Sequence, residues 1–170
     1  KVTYKNIKSL NAKLYKIDSP VDVMIAQSGI RQSIEDKRSF LKDIPVPLTD
    51  IAEYLLGEAV IEIDVDSPGT YLLTFDSSPQ ASVDRQPDYY FTVSDLAVFA
   101  RSSAKDRYDF FVVNRVTGDP VKNAKINIYK LPGNWHNSTL TAAGTVAVNE
   151  EGLAVYQKGI PNNDVYYHAV

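Results

Sequence analysis

The 170-residue chain contains no cysteine, which excludes disulfides, thiolate metal sites and thiol nucleophiles within it. Histidine is almost as scarce. His136 and His168 are the only two, neither lies in a spaced ligand motif, and a structural zinc site needs about four ligands. Both are expected to be solvated or packed side chains. The eight glycines form no phosphate cradle, and there is no Gly-x-Ser-x-Gly elbow. Net charge is −3 with the signs interspersed, so no basic stripe follows a phosphate backbone and nucleic acid is not an expected partner. No apolar run approaches the roughly 20 residues needed to span a bilayer as a helix. Strand-like sequence begins at Lys1 with no leader before it, from which we expect an excised or processed chain.

What is present is the composition of an ordinary globular protein, 44% hydrophobic and 23% charged, long enough for one large domain or two small ones. The most informative stretch is 106–130. Thr117-Gly118-Asp119-Pro120 interrupts two strand-like runs, because Gly118 admits positive φ and Pro120 fixes φ and lacks an N–H. After it, Ala124, Ile126 and Ile128 alternate with Asn123, Lys125, Asn127 and Tyr129, a period of two with one apolar face. Before it, Tyr108, Phe110 and Val112 share one face while Phe111 and Val113 share the other, which predicts a strand covered on both sides. The pattern fits a β-hairpin or a corner of a β-sandwich.

Elsewhere strands are predicted at 2–7, 10–17, 89–93, 96–100, 140–148, 153–157 and 165–170, with turns at 149–152 and 161–164. The alternation of Ala59, Ile61, Ile63 and Val65, the turn Ser67-Pro68-Gly69, and Tyr71, Leu73 and Phe75 predict a hairpin over 58–75. Residues 77–88 read as a loop. In 19–57 a short helix is expected near 33–42, from Ser33-Ile34-Glu35-Asp36 and the spacing of Ile30, Ile34, Arg38 and Leu41. Pro45 and Pro47 suggest an extended edge segment, and a helical turn near 49–56 is stopped by Gly57. Many short strands at 8–12-residue spacing indicate sandwiches. The fold class is therefore all-β, two tandem antiparallel β-sandwich domains, with a boundary near 90–94.

The remaining chemical candidates reduce to structure. Asp64, Asp66 and Asp76 could meet across the 58–75 hairpin, but they lack calcium-loop spacing and alternation already turns Asp64 outward. Glu150 and Glu151 suit a turn. The eleven tyrosines invite a sugar-stacking platform, yet Tyr71, Tyr108 and Tyr156 alternate with polar neighbours as inward residues do. Asn137-Ser138-Thr139 matches an N-glycosylation acceptor. No catalytic residue, metal or cofactor is expected, and the chain reads as non-enzymatic.

Three stretches carry a family resemblance. Val93-Ser94-Asp95-Leu96-Ala97-Val98-Phe99-Ala100, then Thr117-Gly118-Asp119-Pro120-Val121-Lys122-Asn123-Ala124-Lys125-Ile126, then Asn149-Glu150-Glu151-Gly152-Leu153-Ala154 resemble steps of alpha-2-macroglobulin-type proteins. Upstream, Tyr4-Lys5-Asn6-Ile7 through Leu14-Tyr15-Lys16-Ile17-Asp18, and Ser67-Pro68-Gly69-Thr70-Tyr71-Leu72-Leu73, are similar to Bacteroidetes-type members. The resemblance implies two macroglobulin-like domains. The first covers 1–91 with a long irregular insertion at about 19–57; the second covers 92–170 and could lack its last strand. Thr117, Gly118, Asp119, Pro120 and Ala124 would be its structural motif. It also implies a scaffold role in a bacterial protease trap, a broad-range endopeptidase inhibitor. Partners would be adjacent macroglobulin-like domains of the parent chain and host or environmental proteases met by the whole protein. The setting would be periplasmic, cell-envelope or extracellular, lipid-anchored through the parent or free, with no direct membrane span. No Cys-x-Glu-Gln thioester motif is present. The alternative is a surface adhesion module, or one binding carbohydrate or protein, built from the same sandwiches.

Overall fold

A computed structural model describes residues 1–19, 21, 23, 37–79, 88–104, 107–130, 141–157 and 165–169, with the backbone alone at 103–104 and 165–169. The chain divides into two compact units, one made of Lys1–Ser19 with Glu35–Val93 and the other containing Ser94–Val170. All pairings between strands are antiparallel.

In the first unit β1 (Val2–Tyr4), β2 (Ser9–Ile17), β3 (Arg38–Val46), β4 (Gly57–Ala59), β5 (Gly69–Ser78) and β6 (Tyr89–Val93) form a sheet of order β3-β2-β5-β6 and a ribbon β1-β4. Period two decides which side chains go inside. Leu10, Ala12 and Leu14 of β2 and Tyr71, Leu73 and Phe75 of β5 share one core with Tyr4, Val46 and Ala59. Tyr71 stacks on Phe91 at 5.3 Å between ring centroids, and Phe75 meets Tyr89 edge-on at 5.9 Å. Leu72 and Thr70 are buried too, so β5 is covered on both faces.

Four expectations in this unit are corrected. The helix near 33–42 does not form over its described part, because Arg38–Val46 is β3, paired with β2 from Arg38 opposite Ile17 to Val46 opposite Leu10. Residues 33–36 lie outside the described residues. The insertion at 19–57 is accordingly not irregular throughout. β3 is an edge strand, and Pro45 sits in it opposite Asn11, as an edge permits a residue without an N–H. Residues 49–56 form no helix, only a turn closed by the Leu55 N–H donating to the Ala52 carbonyl at 3.2 Å, with Tyr54 at φ 71°. Gly57 opens β4 instead of ending a helix. It does so because a Cβ there would lie 2.4 Å from Cζ of Tyr4, so only glycine lets the ring pass. The hairpin over 58–75 is absent as well: β4 pairs with β1, and β5 pairs with β2 and β6. Ile61, Ile63 and Val65 still turn toward the core, but without a ladder.

In the second unit β7 (Leu96–Ala104), β8 (Arg107–Asn114) and β11 (Leu153–Gln157) form a sheet of order β11-β8-β7. β9 (Lys125–Lys130), β10 (Thr141–Ala147) and β12 (Val165–Ala169) form another, β10-β9-β12. Phe110, Val112, Ala154 and Tyr156 from the first meet Ala124, Ile126, Ile128 and Val148 in one core. β8 and β9 lie in different sheets, so 115–124 is a corner and not a hairpin. Val113 is buried, but Phe111 is 36% exposed, which corrects the expectation that both faces of β8 are covered throughout. Trp135, His136, Asn137, Ser138, Thr139 and the turn 161–164 lie outside the described residues.

Candidate functional site

The corner between β8 and β9 is densely hydrogen-bonded among the described residues, and each residue type has a local reason to be there. Asn114 ends β8 and its Oδ1 accepts the N–H groups of Val116 at 2.8 Å and Thr117 at 3.0 Å, the short-range pairing that favours asparagine in turns. Its carbonyl accepts the Gly118 N–H at 2.9 Å, while its own N–H donates to the Asp119 carbonyl at 2.8 Å. Thr117 Oγ1 accepts the Asp119 N–H at 3.2 Å. Gly118 takes φ 78°, where a side chain is disfavoured. Pro120 stands opposite Val113 in an isolated bridge whose hydrogen bonds are made by Asn114 with Asp119 and by Val121 with Val112, so a residue without an N–H is tolerated there. Asn123, at φ 63°, turns the chain so that Ala124 enters the core.

Three segments far apart in sequence are tied here. The Arg115 N–H donates to the Asp95 carbonyl at 2.7 Å. The Val112 N–H donates to the Gly152 carbonyl at 2.8 Å, and the Val121 N–H to the Val112 carbonyl at 3.0 Å. The Val148 N–H donates to the Ala124 carbonyl at 2.9 Å, just ahead of a turn in which Asn149 Oδ1 accepts from Glu151 at 3.0 Å and Leu153 at 2.8 Å. Thr117, Gly118, Asp119, Pro120 and Ala124 are thus drawn together with Asp95 and Gly152 into one hydrogen-bonded knot. In each of these bonds a backbone N–H donates, either to a backbone carbonyl or to the oxygen of a short polar side chain. Such an arrangement fixes geometry and holds no nucleophile against a base.

The other candidates are dispersed. Asp76 is paired with Lys13 at 2.6 Å, and that hydrogen bond, with the attraction of the carboxylate, raises the Lys13 pKa above its ordinary value. Asp64 and Asp66 are exposed and lie on no shared strand pair. Among the described residues no three of His, Cys, Asp and Glu stand close enough to hold a metal ion. Lys122 reaches Glu150 at 3.4 Å on the surface. His168 is in β12 opposite Asn127. Tyr71 and Tyr156 are buried and Tyr108 half-buried, as their alternation predicts.

Two solved structures share this arrangement of strands. Native alpha-2-macroglobulin from Escherichia coli spanning domains MG0-NIE-MG1 matches with a TM-score of 0.73 at 12% identity, over 98% of this chain and 53% of that one. The same protein spanning NIE-MG1 matches with a TM-score of 0.67 at 13% identity, over 98% of this chain and 81% of that one. The fold is that of bacterial alpha-2-macroglobulin. The chain spans about half the length of the first of these structures, and the likeness runs through both units. No family model matches the sequence, and no curated protein does.

In this macroglobulin-type frame two surface features stand out that sequence reading passed over. On the outer face of β11-β8-β7, Leu153, Phe111 and Phe99 are register partners across three strands, and all three are exposed, Phe99 at 63%. The signal was the odd-numbered apolar set of β7 and β8. In the first unit Tyr54, Leu55 and Leu56 are consecutive and exposed, having been read as part of a helical turn.

Tyr156 supplies a test of the macroglobulin-type core beneath that face. Its hydroxyl donates to the Ala143 carbonyl at 3.2 Å, and burial raises its pKa above the ordinary 10, since a phenolate would be desolvated there. The folded-state pKa lies above the unfolded one, so the neutral phenol favours folding below pH 10. That advantage is lost as pH rises from the unfolded toward the folded value. Tyr156→Phe should therefore flatten the alkaline fall in stability above about pH 10, measured by urea denaturation across pH 9–12. An unchanged alkaline slope would place the phenol in water.

Proposed function

We propose that the chain supplies two non-catalytic scaffold domains of a bacterial alpha-2-macroglobulin-like protease trap, a broad-range endopeptidase inhibitor. The observation that carries this reading is the match of both units, in order and over 98% of the chain, to alpha-2-macroglobulin structures. The corner knot supports it: a rigid backbone junction serves a domain that must pass strain to its neighbours, and it offers no reactive group. The exposed row Leu153, Phe111 and Phe99 supports it too, because an apolar sheet face suits a domain with adjacent domains in the same chain. On this reading the partners are adjacent macroglobulin-like domains and, through the whole protein, host or environmental proteases. The setting is the periplasm, cell envelope or exterior of a bacterium.

Incubation of the full-length protein with several unrelated endopeptidases tests it. Trapped proteases should keep activity on small peptide substrates and lose it on large proteins. Undiminished cleavage of large proteins by every protease tried would end the trap reading.

A further inference from the structure

We propose that this chain is built to withstand endopeptidases that cut after lysine or arginine. Such an enzyme takes its substrate as an extended strand, engaging main-chain N–H and C=O groups on both sides of the bond it hydrolyses. Residues inside a β-ladder already give those groups to neighbouring strands. The bonds at risk are those on exposed loops. Among the described residues, three lysine or arginine bonds have both their residues between strands: Lys5–Asn6, Arg115–Val116 and Lys122–Asn123. All six residues are exposed, so burial shields none of these bonds. Backbone conformation does.

In two of the three, the residue after the bond is left-handed. Asn6 takes φ 55° and Asn123 takes φ 63°, whereas extended backbone needs φ of about −120 to −140°. Neither can swing over alone. Asn6 joins β1 to β2, and its Oδ1 accepts the Tyr54 N–H at 3.3 Å. Asn123 lies between two fixed points: the Val121 N–H donates to the Val112 carbonyl at 3.0 Å, and the Ala124 carbonyl accepts the Val148 N–H at 2.9 Å. Extending the backbone at Asn123 would also draw Ala124 out of the core it shares with Ile126.

Arg115–Val116 is locked by a different device. Val116 is 85% exposed, yet four consecutive N–H groups around the bond are occupied. Arg115 donates to the Asp95 carbonyl at 2.7 Å, and Gly118 to the Asn114 carbonyl at 2.9 Å, closing a single helical turn. Val116 and Thr117 donate to Asn114 Oδ1 at 2.8 and 3.0 Å. Three of the four bonds thus end on Asn114, and all four must break before the segment can lie extended in a protease. With each worth a factor of roughly five in an equilibrium, the cleavable form is on the order of several hundredfold rarer than the locked one. This proofing takes its purpose from the protease-trap reading, because a chain that holds live proteases close meets them at high effective concentration. Its test is independent of that reading.

Trypsin is added to the folded chain, and the new N-termini at Asn6, Val116 and Asn123 are followed by mass spectrometry. Each of the three bonds should be hydrolysed at least about a hundredfold more slowly than in synthetic peptides carrying the same local sequence. Asn114→Ala removes two of the four hydrogen bonds and should speed cleavage at Arg115–Val116 by about 10–50-fold. Asn114→Asp keeps an oxygen acceptor and should stay resistant. Circular dichroism reports that both variants keep the fold. Cleavage of Asn114→Ala should barely change between 0 and about 0.5 M urea, since a local opening exposes little surface. Wild-type cleavage at the peptides' rate overturns the proposal. So does equal cleavage of Asn114→Ala and Asn114→Asp, or a rate that climbs with urea as global unfolding does, because the bonds of the corner would then not be what protects it. A full-length protein that traps no protease would remove the purpose of the locked bonds and leave their measured resistance standing, so the two readings fail separately.

Discussion

Ile126→Ala should cost the second unit about 2–5 kcal/mol, while Lys125→Ala, one residue away, should stay within about 0.5 kcal/mol. Ile126 is fully buried and lies between Val146 of β10 and Ala169 of β12. It shares the core with Phe110 and Val112 of the facing sheet. Burial of such a side chain contributes roughly 1.5–3 kcal/mol by transfer alone, and the cavity left by truncation adds to the loss. Neighbours in two sheets cannot close on the gap without breaking ladders, so relaxation is limited. Against a total stability of about 5–15 kcal/mol, the loss is a large fraction. Lys125 points the other way, exposed opposite Ala147. Urea denaturation, with amide exchange of β8 and β9 as the local probe, separates the outcomes. Comparable losses at 125 and 126 would mean that β9 presents the wrong face to the core.

That contrast rests on a period of two, which is the part of this fold most readily seen in sequence. β9 alternates throughout, and the core-facing sets Leu10, Ala12 and Leu14 of β2 and Tyr71, Leu73 and Phe75 of β5 keep the same period; alternation states which side chains face inward whatever the partner strand is. For the same reason it says nothing about the partner. The run 59–65 keeps Ile61, Ile63 and Val65 inward, but β5 finds β2 and not this run, because pairing is settled by long-range register. β3 shows the opposite failure. Ile30, Ile34, Arg38 and Leu41 fit a helical spacing, and only the ladder with β2 makes an extended strand of Arg38–Val46. There Arg38 lies 4.5 Å from the Tyr15 ring and Phe40 meets that ring edge-on at 5.7 Å. Tertiary pairing overrode a weak local preference. At the corner, Thr117-Gly118-Asp119-Pro120 announces a break in the chain, since its residues are chosen for backbone reasons. Whether the break made a hairpin or a crossing between sheets depended on bonds to Asp95 and Gly152, which no local pattern contains. The tip at 54–56 was hidden for a related reason: its apolar residues imitate a buried face, and only the fold leaves them in water.

Gly152→Ala is the second large effect, and Gly118→Ala is its control. Both glycines sit at φ 78°, so both substitutions carry the same left-handed backbone penalty, about 1–2 kcal/mol. Their surroundings differ completely. A Cβ at 118 would meet nothing within 4 Å, whereas at 152 it would lie 2.7 Å from the Val112 carbonyl oxygen and 3.0 Å from Cβ of Pro120. That carbonyl cannot simply retreat, because it accepts the Val121 N–H at 3.0 Å and the neighbouring Val112 N–H donates to Gly152 at 2.8 Å. Relief must therefore open the corner itself, at a further cost of about 1–3 kcal/mol as in other overpacked sites. Gly152→Ala should lose about 2–5 kcal/mol in all, with faster amide exchange at Val112 and Val121; Gly118→Ala should lose the smaller amount and leave those amides protected. Since φ is shared, the difference between the two variants measures the contact alone. Equal losses would show that 149–152 does not press against Val112 and Pro120, and the corner would then be a turn without the cross-tie that makes it rigid.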